Sequence, residues 1–205
     1  MGNPYNISEE KIDDISLLEP EATYSYADYL KWSFEERVEL IKGKLFNMSP
    51  APRTSHQTIS MNLSTEIKTF LKGKSCKVFA APFDVRLPTK PDDPDNKILT
   101  VVQPDICVVC DTNKLDELGC KGAPDLVVEI LSPSTAKKDL ENKFELYEEN
   151  GVKEYWVIYP GENIVEIFEL KEGKYATRGK FVGSKTVTSI VLPGFELSLE
   201  DLFEE

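Results

Sequence analysis

Two acidic residues interrupt apolar, strand-like segments of this chain. Glu129 stands within the apolar run 126–131, and Asp105 stands directly before the apolar run 106–109. A buried carboxylate without a counter-charge, hydrogen bonds or a metal ion costs on the order of several kcal/mol. Two inward carboxylates on neighbouring strands repel each other or recruit a divalent cation, and Mg²⁺ or Mn²⁺ accepts such oxygen ligands. The pattern predicts a metal site held by Asp105 and Glu129. The alternative is that each acid lies at a strand end in water or accepts a hydrogen bond from a backbone amide.

A lysine is predicted to reach the same place from a helix. Residues 135–149 have apolar positions at helical spacing, and Lys143 falls inside that apolar stripe. A lone lysine in such a stripe usually extends along its aliphatic stem to solvent, whereas two carboxylates nearby favour an inward ammonium group. We therefore add Lys143 to the predicted site. The stripe consists of Ala136, Leu140, Phe144 and Tyr147.

Two further polar residues are candidates for supporting roles. Asp84 lies in the strand-like run 77–87, where it faces either the same pocket or solvent. His56 is the only histidine and lies on the apolar stripe of the first long predicted helix. A hydrogen-bonded structural histidine and a catalytic histidine both fit that position.

The cysteines do not indicate a zinc site. Cys107 and Cys110 face opposite sides of a continuous strand, so they cannot ligate one tetrahedral ion together, and no histidine is near them in sequence. Four cysteines in a chain of 205 residues are too few for a secreted disulfide scaffold, so reduced, buried thiols are expected. The chain also has no P-loop, no Rossmann glycine pattern and no nucleophile elbow.

Composition limits the partners and the compartment. The net charge of −12 repels nucleic acid at long range, so any DNA contact must be local. The N-terminal sequence has no apolar signal region and the chain has no apolar run long enough to span a membrane, so we expect a cytoplasmic protein. The predicted organisation is a mobile, acidic lead-in at residues 1–22 and a single domain at residues 23–205.

The periodicity predicts an α/β protein with a mixed sheet. Ser25 is expected to cap a short helix, and a strand pair is expected around Lys42 and Gly43. A helix, three strands, a helix and a strand follow, and then a C-terminal β meander. The strand-helix-strand passage requires parallel neighbours, so the sheet should be mixed. The predicted segments are 55–71, 77–87, 100–110, 125–131, 135–149, 154–160 and 164–192.

Several stretches resemble one family. "QPDI" at residues 103–106, "VVEILSPST" around Glu129 and "KKDLENKFELYEENGVKEYWVIYP" after it are similar to the Uma-two-type restriction-endonuclease-like proteins. This family is a branch of the PD-(D/E)XK nuclease superfamily. The resemblance extends over nearly the whole chain, through "YSYADYLKW", "RVELIKGKLFNMSPAPRTSHQ", "APFDVRLP" and "GFELSLEDLF".

The resemblance implies a restriction-endonuclease-like core and a Mg²⁺-dependent endonuclease-like hydrolase acting on DNA. Asp105 and Glu129 would hold the metal, and Lys143 would replace the lysine that the superfamily pattern places two residues after the acid, where this chain has Leu131. His56 in "SHQ" and Glu39 in "VELIKGK" match family positions and would be supporting residues.

Two functions stay open at this point. One is a nuclease, which should carry a positive strip near its pocket, with candidates Lys42, Lys44, Arg53, Lys137 and Lys138. The other is a catalytically silent nuclease-fold protein that binds or regulates a partner, which the acidic charge and Leu131 favour. The edge strands of the meander also predict a homodimer.

Overall fold

The computed structural model describes residues 11–48, 53–132 and 136–204, with no account of the side chains of residues 136–141. The chain divides into two compact units, Met1–Ser49 with Arg86–Val102 and Pro50–Val85 with Gln103–Glu205. The predicted single domain stays a prediction. In the described part of the chain, no helix combines the length and the apolar composition that a membrane crossing requires.

The described residues contain four α-helices and fourteen strands. The helices are α1 (Tyr26–Tyr29), α2 (Thr54–Phe70), α3 (Ala136–Glu149) and α4 (Leu199–Phe203). The strands are β1 (Val38–Ile41), β2 (Lys44–Asn47), β3 (Lys77–Ala80), β4 (Val85–Arg86), β5 (Val101–Val102), β6 (Ile106–Val109), β7 (Leu115–Asp116), β8 (Gly119–Lys121), β9 (Leu126–Ile130), β10 (Glu154–Tyr159), β11 (Ile164–Lys171), β12 (Lys174–Phe181), β13 (Thr186–Thr188) and β14 (Glu196–Ser198). Short 3-10 helices occupy Ile15–Leu17, Asp95–Lys97 and Thr112–Lys114.

The first unit contains the predicted short helix and strand pair. Ser25 is the N-cap residue of α1, and its backbone N–H and hydroxyl both donate to Asp28 Oδ2, at 2.9 and 2.7 Å. Strands β1 and β2 form a hairpin, and β1 also pairs with β5. Lys42 and Gly43 turn the hairpin with φ of 51° and 80°, the left-handed pair that a tight two-residue turn requires. Within the predicted lead-in, Ile12 forms an isolated bridge with Trp32, and residues 1–10 lie outside the described residues, so the mobile lead-in stays a prediction.

The second unit is built on a mixed six-stranded sheet. Its strand order is β12-β11-β10-β9-β6-β3. Strands β9 and β10 are parallel and are joined through α3, whereas the other four neighbouring pairs of this sheet are antiparallel. All five residues of β9 are buried, as expected for a central strand. The predicted fold class and mixed sheet are confirmed.

Helices α2 and α3 contact side chains from alternate positions of this sheet. Ile59, Leu63 and Ile67 of α2 share one buried cluster with Val128 and Trp156. Tyr147 of α3 contacts Tyr155, whose ring centroid lies 5.2 Å away. Because Tyr155 and Trp156 are consecutive in β10, they project from opposite faces. The two helices therefore cover opposite faces of the sheet, and each apolar side chain buried in this way contributes about 1.5–3 kcal/mol.

Two predicted strands are interrupted where proline occurs. The run 77–87 forms β3 and β4 with a cis Ala81–Pro82 bond between them, and the run 100–110 forms β5 and β6 on either side of Pro104. Proline has no N–H to donate to a ladder, so continuous strands through these positions were a wrong prediction. The break places β5 in the first unit and β6 in the second.

The third strand of the predicted meander is also different. Strands β11 and β12 extend the sheet, but β13 pairs with β14 in a separate two-stranded sheet. The reason is Glu154, a fully buried acid of β10. Its Oε2 accepts hydrogen bonds from Ser189 Oγ at 2.5 Å and from the amides of Ile190 and Val191 at 3.1 Å each. Those two amides therefore donate hydrogen bonds to a buried carboxylate and not to a neighbouring strand.

Cys76 and Cys110 form a disulfide, so the prediction of reduced thiols throughout is wrong for this pair. The register of β3 and β6 explains the bond. Lys77 lies opposite Val109, and the next residues outward on the two strands are Cys76 and Cys110. Cys107 and Cys120 are buried and do not take part in this disulfide.

Candidate active site

The pairing of β6 with β9 brings Asp105 and Glu129 together where β6 begins and β9 ends. Ile106 lies opposite Val128, and Asp105 and Glu129 come one step further along this antiparallel pair. Asp105 Oδ2 accepts a hydrogen bond of 2.7 Å from the amide of Ile130, directly after Glu129. The alternative of an acid bonded to a backbone amide is therefore true for one oxygen of Asp105.

Glu129 is held by two donors from α3. Glu129 is buried, with 7% of the residue exposed. Lys143 Nζ lies 3.0 Å from Glu129 Oε1, and the hydroxyl of Tyr147 donates to the same oxygen at 2.7 Å. Lys143 and Tyr147 are four residues apart, which places them one turn apart on one helix face. A counter-charge and a hydrogen bond thus offset the cost of burying this carboxylate.

His56 reaches Asp105 from the first turn of α2. Its Nε2 lies 3.2 Å from Asp105 Oδ1, with side chains 14% and 20% exposed. Burial by itself lowers the pKa of His56, but the hydrogen bond to Asp105 and the charges of Asp105 and Glu129 outweigh it, and the pKa is raised. The carbonyl of Ile130 raises it further. Nδ1 is buried and has no well-formed hydrogen bond among the described residues.

The other predicted residues lie in different surroundings. Asp84 accepts a hydrogen bond of 2.8 Å from Gln103, two residues before Asp105. Glu39 is buried on β1 in the first unit, whereas Asp105 and Glu129 belong to the second. Leu131 is half-buried, and its amide donates to Ile158 at 2.9 Å, which continues the β9–β10 pairing.

The two carboxylates have the donor chemistry of a hard divalent cation. Mg²⁺ is usually held by one or two carboxylates together with waters and substrate phosphates. Within the described residues, no three His, Cys, Asp or Glu side chains gather as a metal cage. A cation held by Asp105 and Glu129 would therefore need water or substrate oxygens for its remaining ligands. Cys110 is bonded to Cys76, which argues against a zinc site that includes it.

The contact between Tyr147 and Glu129 was missed by sequence reasoning. The helical stripe identifies Tyr147 only as a packing residue. The available signal was its spacing, because a hydroxyl four residues after Lys143 reaches the same neighbour as the lysine does.

The predicted positive strip is described only in part. The structure gives no description of the side chains of Lys137 and Lys138, whereas Arg53 is exposed at the N-terminus of α2.

Comparisons with known proteins agree with this architecture. The Uma2 family profile, described as "Putative restriction endonuclease", matches residues 26–200. "Uncharacterized protein slr1290" of Synechocystis sp. is 27% identical over 139 residues, which are 67% of this chain and 68% of that protein. The crystal structure of "a putative nuclease belonging to DUF820 from Anabaena variabilis ATCC 29413" is similar, with a TM-score of 0.68 and 23% identity. That likeness covers 87% of this chain and 97% of the other, and it shows the fold.

The family profile spans both compact units and includes Asp105, Glu129 and Lys143. From this match we conclude that the chain belongs to the Uma2 family, the family described as "Putative restriction endonuclease".

Proposed function

We propose that this protein is a divalent-metal-dependent nuclease that hydrolyses phosphodiester bonds in DNA. Membership of the Uma2 family supports a nuclease-like function. The observation that carries the finer proposal is the cluster formed by Asp105, Glu129, Lys143 and His56 at one sheet edge. Carboxylates with a lysine and a histidine beside them are the residue types that phosphodiester hydrolysis uses.

In the proposed site, Asp105 and Glu129 would hold Mg²⁺ or Mn²⁺. A cation bound there would polarise a phosphoryl oxygen and lower the pKa of a bound water. Each carboxylate keeps a fixed position, since Asp105 is hydrogen-bonded to the Ile130 amide and Glu129 to the Tyr147 hydroxyl. Such second contacts orient a ligand before the cation arrives.

Lys143 supplies the positive charge at the reacting group. Its ammonium lies 3.0 Å from Glu129 Oε1 in a largely buried position, where the side chain is 12% exposed. From there it orients the attacking water and offsets the negative charge that develops on the phosphoryl oxygens. Charge stabilisation is stronger in such a site than in water because the local dielectric constant is lower. His56, whose Nε2 lies 3.2 Å from Asp105 Oδ1, and Asp84 have supporting roles in this proposal, whereas the role expected of Glu39 stays a prediction.

Calorimetry followed by a nuclease assay tests the proposal. The wild type should bind Mn²⁺ or Mg²⁺ and cleave DNA only with the cation, and Glu129→Gln should lose both properties. Glu166→Gln is the matched control, because Glu166 pairs with Lys180 at 3.1 Å on the outer part of the sheet. The metal site would be refuted if the wild type does not bind the cation and does not cleave DNA.

A catalytically silent binding protein is the second candidate. Leu131 occupies the position of the superfamily lysine, and Lys143 is engaged by Glu129. A protein of this kind would bind the cation and DNA without cleaving, so the same two assays separate the candidates. The net charge of −12 requires that either activity use a local DNA contact.

The proposal includes a homodimer in the cytoplasm. Strand β12 is an outer strand of the six-stranded sheet, and an outer strand can pair with a second copy. The compartment is the one expected from the sequence.

A further inference from the structure

The hydroxyl of Tyr147 has an unusual position for a residue of an aromatic core. The residue is fully buried, and its hydroxyl donates to Glu129 Oε1 at 2.7 Å. This is the oxygen that Lys143 contacts at 3.0 Å. One helix, α3, therefore directs two donors at a single carboxylate oxygen.

Packing of the ring does not account for this hydroxyl. Tyr155 lies in the same cluster, with its ring centroid 5.2 Å from that of Tyr147, and it is equally buried. The hydroxyl of Tyr155 has no hydrogen-bond partner among the described residues. The cluster thus accommodates a ring whose hydroxyl makes no bond, whereas the hydroxyl of Tyr147 is aimed at the acid. A phenylalanine at position 147 would fill the same space.

We infer that Tyr147 is a positioning residue for the metal ligand Glu129, an assignment that rests on the proposed function. With Oε1 bonded to both Tyr147 and Lys143, rotation of the carboxylate about its last side-chain bond is restricted. Glu129 then approaches a cation in one orientation, and the entropy cost of ordering it does not reduce the affinity. Lys143 by itself does not fix that orientation, because an ammonium group is a flexible point charge with rotatable donors.

Tyr147→Phe and Tyr155→Phe form a matched pair for the test. Each variant removes one buried hydroxyl and keeps the ring. Calorimetry with Mn²⁺ should show affinity reduced roughly 10–100-fold in Tyr147→Phe, the range found when an outer partner of a metal ligand is removed. Tyr155→Phe should bind Mn²⁺ within about twofold of the wild type, since its hydroxyl holds no partner among the described residues.

The dependence of cleavage on cation concentration separates positioning from damage to the fold. Tyr147→Phe should cleave DNA slowly at low Mn²⁺ and recover most of the wild-type rate at saturating Mn²⁺. A loss that saturating Mn²⁺ does not restore would overturn the assignment, because a positioning residue acts through ligand affinity. Equal Mn²⁺ affinities for Tyr147→Phe and Tyr155→Phe, beside a wild type that binds Mn²⁺, would overturn it while leaving the proposed function intact. A wild type that binds no Mn²⁺ would refute the proposed function, and the assignment with it.

A second variant covers the case in which Tyr147→Phe does not fold. Glu129→Gln combined with Lys143→Met removes the charge that the hydroxyl serves together with its counter-charge, so Tyr147→Phe should be tolerated in that background. Recovery of cooperative folding in that triple variant supports an action of the hydroxyl on the carboxylate. A triple variant that is as unfolded as Tyr147→Phe would overturn the assignment and leave Tyr147 with a structural role.

Discussion

Replacement of Lys143 by methionine tests how strongly the site depends on its buried ion pair. Lys143 Nζ lies 3.0 Å from Glu129 Oε1, with side chains 12% and 10% exposed. Removing one partner of such a pair costs about 3–5 kcal/mol, because the other charge stays buried without compensation. Tyr147 still donates to Glu129 after the substitution, so we expect the lower end, about 3 kcal/mol. For a chain of this size, that loss corresponds to a melting temperature lower by roughly 6–12 °C.

Urea denaturation at pH 7 of a double-mutant cycle measures this coupling. Glu129→Gln in the Lys143→Met background should restore most of the lost stability, because no buried charge is left without its partner. Lys180→Met is the control. The ammonium of Lys180 lies 3.1 Å from Glu166 Oε2, but the Lys180 side chain is 61% exposed, so losing this ion pair should cost less than about 1 kcal/mol.

The same variants report on function. Lys143→Met should abolish cleavage and largely keep Mn²⁺ binding, because an ammonium group does not ligate a cation. A stability loss below about 1 kcal/mol, with additive effects of the Lys143 and Glu129 substitutions, would contradict the reasoning from the buried pair. Unchanged cleavage by Lys143→Met would remove Lys143 from the proposed mechanism.

Three more outcomes are expected. Burial raises the pKa of Asp125, but hydrogen bonds from Lys153 and the Cys110 amide, with nearby lysine charges, lower it overall. Asp125 therefore stabilises the fold above the ordinary carboxyl pKa, and this contribution is lost as pH falls through the lowered pKa. In urea denaturation, the unfolding free energy of the wild type should exceed that of Asp125→Asn by an amount that shrinks below about pH 4. A difference that stays constant down to about pH 2 would contradict this expectation. Replacing Cys76 and Cys110 by serine should lower the unfolding free energy by about 3–4 kcal/mol, because the disulfide closes a loop of 34 residues. A variant with the same unfolding free energy as the oxidised wild type would show that the bond does not form in solution. Light scattering should return a dimer mass at micromolar concentration, and proline substitutions in β12 should reduce it to the monomer; a monomer mass for the wild type would reject the dimer.

Local periodicity was sufficient to locate the elements that carry the site. The stripe of Ile59, Leu63 and Ile67 predicted α2 to within a residue or two, because a helix repeats its buried face every three to four positions. Lys42 and Gly43 predicted the first hairpin, since its tight turn needs two left-handed residues. The end of α3 followed from Gly151, whose φ of 80° is readily adopted by glycine.

The same local reasoning failed where the outcome depended on a distant partner. The run at 186–192 has the composition of a strand, but buried Glu154 takes the amides of Ile190 and Val191. Cys76 and Cys110 are bonded because two strands align in one register, which their separation in sequence does not reveal. In both cases the competing interaction comes from more than thirty residues away.

For the candidate site, the sequence determined which residue types were present and on which elements they lie. The negative charge of Glu129 in an apolar strand required a compensating group, because the cost of burying a charge depends on its local surroundings. The helical period of α3 likewise placed Lys143 on the apolar face of that helix. Only the tertiary structure decided which groups compensate it. The contacts of Tyr147 and Lys143 with one oxygen, and of His56 with Asp105, depend on how α2 and α3 pack against opposite faces of the sheet. Distances of about 3 Å follow from this packing of whole elements, which no local pattern encodes.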